Sequence, residues 1–219
     1  MAFFNALSGS IAYSRLKRID FRSGFLFALT AIPGAIIGTY LVDYLSRSAF
    51  QYIFGAILLV VSIYLMVRPT RNLTGGFLQK WQTSRHITDR QQNVYSYAFN
   101  LPLGMTIAFC VGIISGLLGI GGGIIHVPAL TQVLGFPAHV ATATSHFTVA
   151  MTTFSAIDAH LVDRTFTSDI GVAMVLSIGA VIGAQFGARL SQKISGVVII
   201  RLLAVGLVVV ALRLLIAPI

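Results

Sequence analysis

The sequence predicts an all-α protein: a polytopic transmembrane helix bundle built from an inverted repeat, with broken or re-entrant helices. Three observations lead there. Hydrophobic residues make up 56% of the 219-residue chain and charged residues 10%, with a mean hydropathy of +0.88, whereas a soluble domain carries about 25% charged residues. Long apolar runs recur, several of them near the ~20 residues that cross ~30 Å of hydrocarbon. Two stretches 145 residues apart match each other, and the loops beside them have opposite charge balance.

In chain order, the apolar runs fall at roughly 1–14, 24–44, 51–67, 101–119, 121–135, 140–161, 170–188 and 197–216. The first and fifth are short, as truncated, tilted or broken helices are. The opening MAFFNALSGSIAYSRLKR has no basic stretch ahead of its apolar run, so it does not read as a secretory signal peptide. Its basic cluster comes afterwards, which favours an N-terminus outside. The polar stretch RPTRNLTGGFLQKWQTSRHITDRQQN (68–93) reads as solvated, with Trp81, Phe77 and Leu78 touching the membrane interface. The expected organisation is therefore residues 1–69 as the truncated, C-terminal part of a first membrane repeat, 70–100 as a cytoplasmic inter-repeat loop, and 101–219 as a complete second repeat.

The duplication is read from GAIIG (34–38) against GAVIG (179–183). The same offset pairs Ser10 with Ser155, Phe21 with Phe166, Ser23 with Ser168, and Leu45-Ser46 with Leu190-Ser191. The loop around 15–22 carries Arg15, Lys17, Arg18 and Arg22 against Asp20. Its counterpart carries Arg164 against Asp158, Asp163 and Asp169. Lys and Arg accumulate in cytoplasmic loops. Placing 15–22, 68–100 and 189–196 in the cytoplasm, with Arg201 just beyond the last, puts twelve of the fifteen Lys and Arg inside. Two copies of opposite topology are an inverted repeat, the architecture of many secondary transporters. Residues 101–145 have no counterpart ahead of the first copy, which reads as a fragment, a misplaced start or a variant that lost that part.

Five of the eight positions 116–123 are glycine, and Pro128 follows. Each Gly in a helix interior costs roughly 1 kcal/mol relative to Ala, and a backbone broken inside hydrocarbon must find its partners in protein or in a water-filled cavity. Gly121, Gly122 and Gly123 are expected to open the helix, with Pro128 early in the segment that follows. The free N–H groups and positive dipole end of that segment make an anion site. Downstream, VATATSHFTVAMTTFSAID (140–158) holds seven hydroxyls without a charge before Asp158. Ser145, Thr148, Thr152 and Ser155 recur on one helical face, and Thr144 adjoins them. Hydroxyls and amides replace water on an oxyanion without the trap of a full positive charge. The competing reading is packing: small residues make helix contacts in membranes, and Ser/Thr bond to the preceding turn.

GLLGIGGGIIHVPAL (116–130), followed by LGFPAHVATATSHF (134–147), resembles the TauE/SafE family of sulfite and organosulfonate exporters. The family's G-x-G-G-G-x-x-x-x-P-x-L stretch falls on Gly119, Gly121, Gly122, Gly123, Pro128 and Leu130. Its A-x-x-T-S element falls on Ala141, Thr144 and Ser145, after Gly135. The resemblance implies an integral inner-membrane carrier of small inorganic or organosulfur anions, embedded in the lipid bilayer. The departure is the first copy, where no glycine motif or T-S element stands. Asn5, Ser8 and Ser10, the counterparts of Ala150, Thr153 and Ser155, are what survives of its polar stripe.

His126 and His146 each adjoin one of the two motif elements at membrane depth, where ionisable groups are functional candidates by default. Each is expected either to bind the anion when protonated, to couple its passage to protons, or to sit as a neutral, hydrogen-bonded group. No metal and no cofactor is expected: His126, His139, His146 and His160 form no tight ligand pattern, and the chain has no Glu. Cys110 has no cysteine partner and reads as a packing residue among apolar neighbours. The net charge of +9 belongs to cytoplasmic loops rather than to nucleic-acid binding. Ser145 beside His146 is the only nucleophile–base candidate. Consecutive helix residues diverge by about 100°, so no enzyme is expected. The alternative to a carrier is an accessory or assembly membrane subunit, or an inactive fragment; a homo-oligomer is compatible with either.

Overall fold

The apolar runs become helices in the computed structural model, which describes residues 2–42, 44, 46–67, 81–118, 122–162 and 170–216. In chain order these are α1 (Ala2–Arg15), α2 (Phe21–Val42), α3 (Arg47–Val67), β1 (Gln82–Thr88), β2 (Val94–Asn100), α4 (Leu101–Leu118), α5 (Gly123–Gln132), α6 (Ala138–Val162), α7 (Ile170–Leu190) and α8 (Gly196–Ile216). Among the described residues, three spans are long and apolar enough to cross a membrane: Phe21–Leu41, Phe50–Val67 and Gly196–Ile216, with mean hydropathy 1.7, 2.2 and 2.6. α6 is longer than any of them, but its hydroxyls dilute its hydropathy.

Small residues let α2 and α4 approach backbone to backbone. A Cβ on Gly34 would overlap Phe109 O, and one on Gly38 would overlap Ile113 O. Reciprocally, a Cβ on Gly112 would overlap Ala31 O and one on Gly116 would overlap Ala35 O. Helices in lipid gain nothing from merely burying apolar side chains, so such close approach is what holds them together. Elsewhere packing is by side chains. Leu58 and Leu65 of α3 meet Ala204, Leu207 and Ala211 of α8. α1 lies on α6 and α7, and α2 lies on α6 as well as on α4. Cys110 is exposed on α4 and does not pack, because the inner face of that helix is taken by glycines.

The chain is not all-α. Residues 81–100 do not form a solvated loop: β1 and β2 pair as an antiparallel hairpin, from Gln82 opposite Asn100 to Thr88 opposite Val94. The reason is a period-2 pattern, VYSYAFN, that turns Tyr95, Tyr97 and Phe99 to one face. Tyr97 and Phe99 are buried against Phe136, at ring-centroid distances of 4.4 and 4.8 Å, and Phe27 closes the cluster. Trp81 is 67% exposed, while Phe77 and Leu78 lie outside the described residues. Asn100 ends the strand and starts the next helix, its Oδ1 accepting from Leu103 N at 3.0 Å.

The hairpin is pinned at its turn. Arg18 donates to Asp89 Oδ2 from Nε (3.2 Å) and Nη2 (2.9 Å), with both side chains almost wholly buried. Burial alone would push the Asp89 carboxyl up. Hydrogen bonds from the Asn93 side chain and backbone, from Arg18 and from Gln91 N outweigh it and hold the carboxyl below its ordinary value. Asp20 caps α2, accepting from Ser23 N at 3.1 Å and Ser23 Oγ at 2.6 Å. Tyr97 OH reaches the same carboxylate at 2.8 Å. Burial, with the Asp20 charge, raises the Tyr97 phenol well above its usual range, so it remains a donor. Arg90 N donates to Leu16 O (3.0 Å) and Gln91 Nε2 to Gln192 Oε1 (3.3 Å). The 15–22 loop, the hairpin turn and the 189–196 segment therefore meet at one end of the bundle.

Two outcomes follow for stability. Gly116→Val forces a branched side chain onto the α2 backbone and is expected to cost at least about 3 kcal/mol, read as a lowered unfolding midpoint in detergent. Asp89→Asn leaves the Arg18 guanidinium buried without its counter-charge and is expected to cost about 3–5 kcal/mol. In the unsubstituted protein the folded-state pKa of Asp89 is depressed, so its contribution is complete above the unfolded carboxyl value of 3.8 and is lost as pH falls through the lower, folded value. The difference between wild type and Asp89→Asn should thus be constant from about pH 5 to 8 and shrink only in more acidic buffer.

Candidate functional site

The helix through the glycine-rich stretch is interrupted. α4 ends at Leu118 and α5 begins at Gly123, with Gly122 in the left-handed region at φ 61°, ψ −9°. Gly119 and Gly121 lie outside the described residues. Gly122 has two reasons to be glycine: its φ, and the Ser115 side chain, whose Cβ would lie 2.7 Å from an added Cβ. Gly122 O accepts from Ile125 N at 3.1 Å and from His126 N at 2.9 Å. No side chain caps the helix. The N–H groups of Gly123 and Ile124 therefore stand at its positive end, ahead of the first intrahelical bond.

That end faces a cavity of about 340 Å³ between α1, α5, α6 and α8, lined by Asn5, Gly123, Ile124, Thr142, Ser145 and His146, with Val149 and an apolar wall of Ile199 and Leu203. Ser145 is 1% exposed, and its Oγ has no hydrogen-bond partner. It lies across from Gly123: an added Cβ there would come to 4.0 Å from Ser145 Oγ. His146 Nδ1 is 3.0 Å from Thr142 O. A carbonyl only accepts, so Nδ1 carries a proton and Nε2 is the nitrogen that gains or loses one. The His146 ring stands edge-on to Tyr13 and against Gly9, where a Cβ would overlap it.

The other expected site residues go elsewhere. Thr144 Oγ1 accepts from Asp20 N at 3.1 Å, tying α6 to the start of α2. Thr148 Oγ1 donates to Thr144 O (3.0 Å) and reaches Gly24 O (3.3 Å). Thr152 bonds Val149 O at 3.1 Å and Ser155 bonds Met151 O at 3.3 Å. These hydroxyls serve the preceding turn or the α2 contact. Ser10 is buried on α1, and Pro128 is buried a turn and a half into α5, neither of them lining the cavity. His126 is 2% exposed beside the Phe27 ring, with neither ring nitrogen hydrogen-bonded.

A second cavity, of about 350 Å³, adjoins the first. It is lined by Tyr13, Gly183, Gly187, Ser191, Ile194 and Leu202, and it shares Asn5, His146 and Ile199 with its neighbour. His146 therefore stands where the two meet. Sequence reading did not select Thr142, which is one hydroxyl among seven, nor the α8 wall, which carries no polar signal.

The sequence model of the family described as "Sulfite exporter TauE/SafE" matches residues 1–214. The probable membrane transporter protein YunE of Bacillus subtilis is 30% identical over 215 residues, covering 96% of this chain and 76% of its own. A probable membrane transporter protein of Xylella fastidiosa is 27% identical, over 94% of this chain and 72% of its own. One from Methanocaldococcus jannaschii is 21% identical, over 89% and 68%. No solved structure matches.

The division of hydroxyls is measurable. Ser145→Ala removes a buried hydroxyl that has no partner and should therefore stabilise, by up to about 1–3 kcal/mol. Thr144→Val strands the buried Asp20 N–H and should cost about 1–3 kcal/mol. Unfolding midpoints in detergent for the two variants would rank them.

Proposed function

The chain belongs to the sulfite exporter TauE/SafE family and is a membrane transporter, and on that premise we propose that it carries a small oxyanion, of the sulfite or organosulfonate kind, across the plasma membrane. The observation that carries this reading is the buried, unpartnered Ser145 hydroxyl opposite the uncapped start of α5, both opening on one cavity. An unmade hydrogen bond at a buried hydroxyl costs about 1–3 kcal/mol. An anion's oxygen accepting from Ser145 Oγ and from the α5 N–H groups repairs that deficit and meets the positive helix end. The Asn5 amide supplies a further donor from the opposite helix. The apolar wall of Ile199 and Leu203 holds the anion partly dehydrated, where each of these bonds is stronger than in water.

His146 adds a means of coupling. With Nδ1 committed to Thr142 O, a proton taken up at Nε2 places a positive charge between the two cavities. An anion then passes from one cavity to the other beside a counter-charge that leaves when the proton does.

The inverted repeat belongs to the same reading. With the halves exchanged at an offset of 145, α1 exchanges with the C-terminal part of α6, and α2 with α7. The α2–α6 contact then exchanges with the α7–α1 contact, as a two-fold relation requires. The clustered 15–22, hairpin and 189–196 segments, rich in Lys and Arg, are the cytoplasmic end in this scheme.

Proteoliposomes containing the protein and loaded with sulfite or sulfoacetate should release them, faster with a pH gradient than without. Ser145→Ala should slow release at least tenfold with an unfolding midpoint no lower than wild type, and His146→Gln should abolish the response to the gradient. Absence of flux for every anion tried, or a Ser145→Ala flux equal to wild type, overturns the assignment.

A further inference from the structure

The face of α1 that meets α6 is built at a spacing of four. Asn5, Gly9 and Tyr13 recur on it, and the His146 ring fills the middle position, where a Cβ on Gly9 would overlap it. Tyr13 meets the same ring edge-on, at 5.4 Å between centroids. Asn5 lines both cavities together with His146, whereas Tyr13 lines only the second. Eight residues of α-helix rise about 12 Å, so the polar groups at the two ends of this face are too far apart for one small oxyanion to touch both. His146 stands between them.

The Tyr13 end of the face carries its own donor. Tyr13 is 5% exposed, and its hydroxyl is hydrogen-bonded to Ser191, just past the end of α7. Ser191 Oγ donates its one hydrogen to Ala188 O at 2.8 Å, so in this pair Ser191 accepts and Tyr13 donates. Ser191 and Ile194 also line the second cavity, which therefore reaches the 189–196 turn. The charges at that end favour anions. In residues 15–22, 89–93 and 189–196, Arg15, Lys17, Arg22, Arg90, Arg189 and Lys193 are exposed, while the two acids, Asp20 and Asp89, are buried and ion-paired with Arg85 and Arg18. A rim of one sign raises the local concentration of the opposite ion. A lipid chain filling the cavity would instead strand the Asn5 amide and His146 Nε2 in hydrocarbon.

We infer that the second cavity is a second station for the same class of small oxyanion, entered from the 189–196 end, with the Tyr13 hydroxyl as its donor. The class of ligand rests on the anion reading above, while the station itself stands on the cavity and its lining. Without an anion the Tyr13 hydrogen goes to Ser191. With one it turns to the anion, and Ser191 gives up only an incoming bond, since its own hydrogen stays on Ala188 O. Tyr13 is thus a binding residue whose bond to Ser191 competes with the ligand. An anion leaving this station for the Ser145 cavity passes the His146 ring, the titratable group that the two linings share.

The test is thiol labelling of the full chain in sealed vesicles, on a Cys110→Ala background, with Leu202→Cys in the lining of the second cavity. The reagents are the anionic sulfonatoethyl methanethiosulfonate and its cationic trimethylammonium analogue. Lys193→Cys marks the 189–196 end, and Leu212→Cys, exposed on α8 away from both cavities, marks the lipid face. The anionic reagent should modify Leu202→Cys from the side that labels Lys193→Cys, and leave Leu212→Cys untouched. It should do so at least tenfold faster than the cationic one, once each rate is divided by that with free cysteine. Methanesulfonate should slow the reaction at Leu202→Cys. Tyr13→Phe should raise the methanesulfonate concentration needed at least tenfold, and Ser191→Ala should lower it, because the competing acceptor is gone. A merely structural role for the pair would move both variants the same way. Unfolding midpoints check that each folds, and Ser191→Ala carries the test if Tyr13→Phe does not. No labelling of Leu202→Cys, equal rates for the two reagents, no protection by methanesulfonate, or weaker protection in Ser191→Ala overturns the inference. None of these readouts needs transport: flux without protection sinks the station alone, and protection without flux sinks the carrier reading alone.

Discussion

The backbone contact between α2 and α4 holds the rest of the molecule in place. Four glycines, two on each helix, bring carbonyls of one helix to the Cα hydrogens of the other, at positions where any side chain would overlap backbone. This contact joins residues some 75 to 81 positions apart and fixes α4 on α2. The Gly122 turn at the start of α5 lies against Ser115 and Val111 of the same α4, so α4 also carries the start of α5.

At one end of the bundle, polar chemistry does what glycine does inside it. Asp20 alone gathers the α2 N-terminus, the Tyr97 hydroxyl and, at 3.5 Å, the Arg85 guanidinium. Its own N–H is accepted by Thr144 on α6. Arg18 and Asp89 close the adjacent junction. Arg18 and Asp89 are almost wholly buried, so removing either partner would leave an uncompensated buried charge. The hairpin is therefore better understood as a clasp joining the start of α2, the start of α4 and the turn after α7 than as a linker.

Within α6 one helix carries two kinds of hydroxyl. Most, such as Thr148, Thr152 and Ser155, return their hydrogen to a carbonyl three or four residues back and present only a methyl or methylene to their surroundings. Thr144 spends its lone pair on α2. Ser145 does neither, and it is the one that opens toward Gly123. A stripe that is uniform in the sequence thus resolves into scaffold and one free donor. The difference lies in what each rotamer meets, which spacing alone cannot encode.

Run length, charge placement and glycine clustering are one-dimensional properties, and through them the sequence by itself determined the eight helical runs, the membrane setting and the left-handed turn at Gly122 that starts α5. It also contained the hairpin, since VYSYAFN alternates plainly, but the polar composition of the surrounding loop masked a signal only seven residues long. Tertiary structure alone decided which glycines are closed by a neighbour and which stand open, because GAIIG and GAVIG differ in one residue and in nothing local. It alone decided that Asn5, Ser145 and His146 share a cavity while His126 and Thr152 do not line it. Both outcomes depend on contacts between helices far apart in the chain, and the free energy of such a contact belongs to the pair rather than to either sequence.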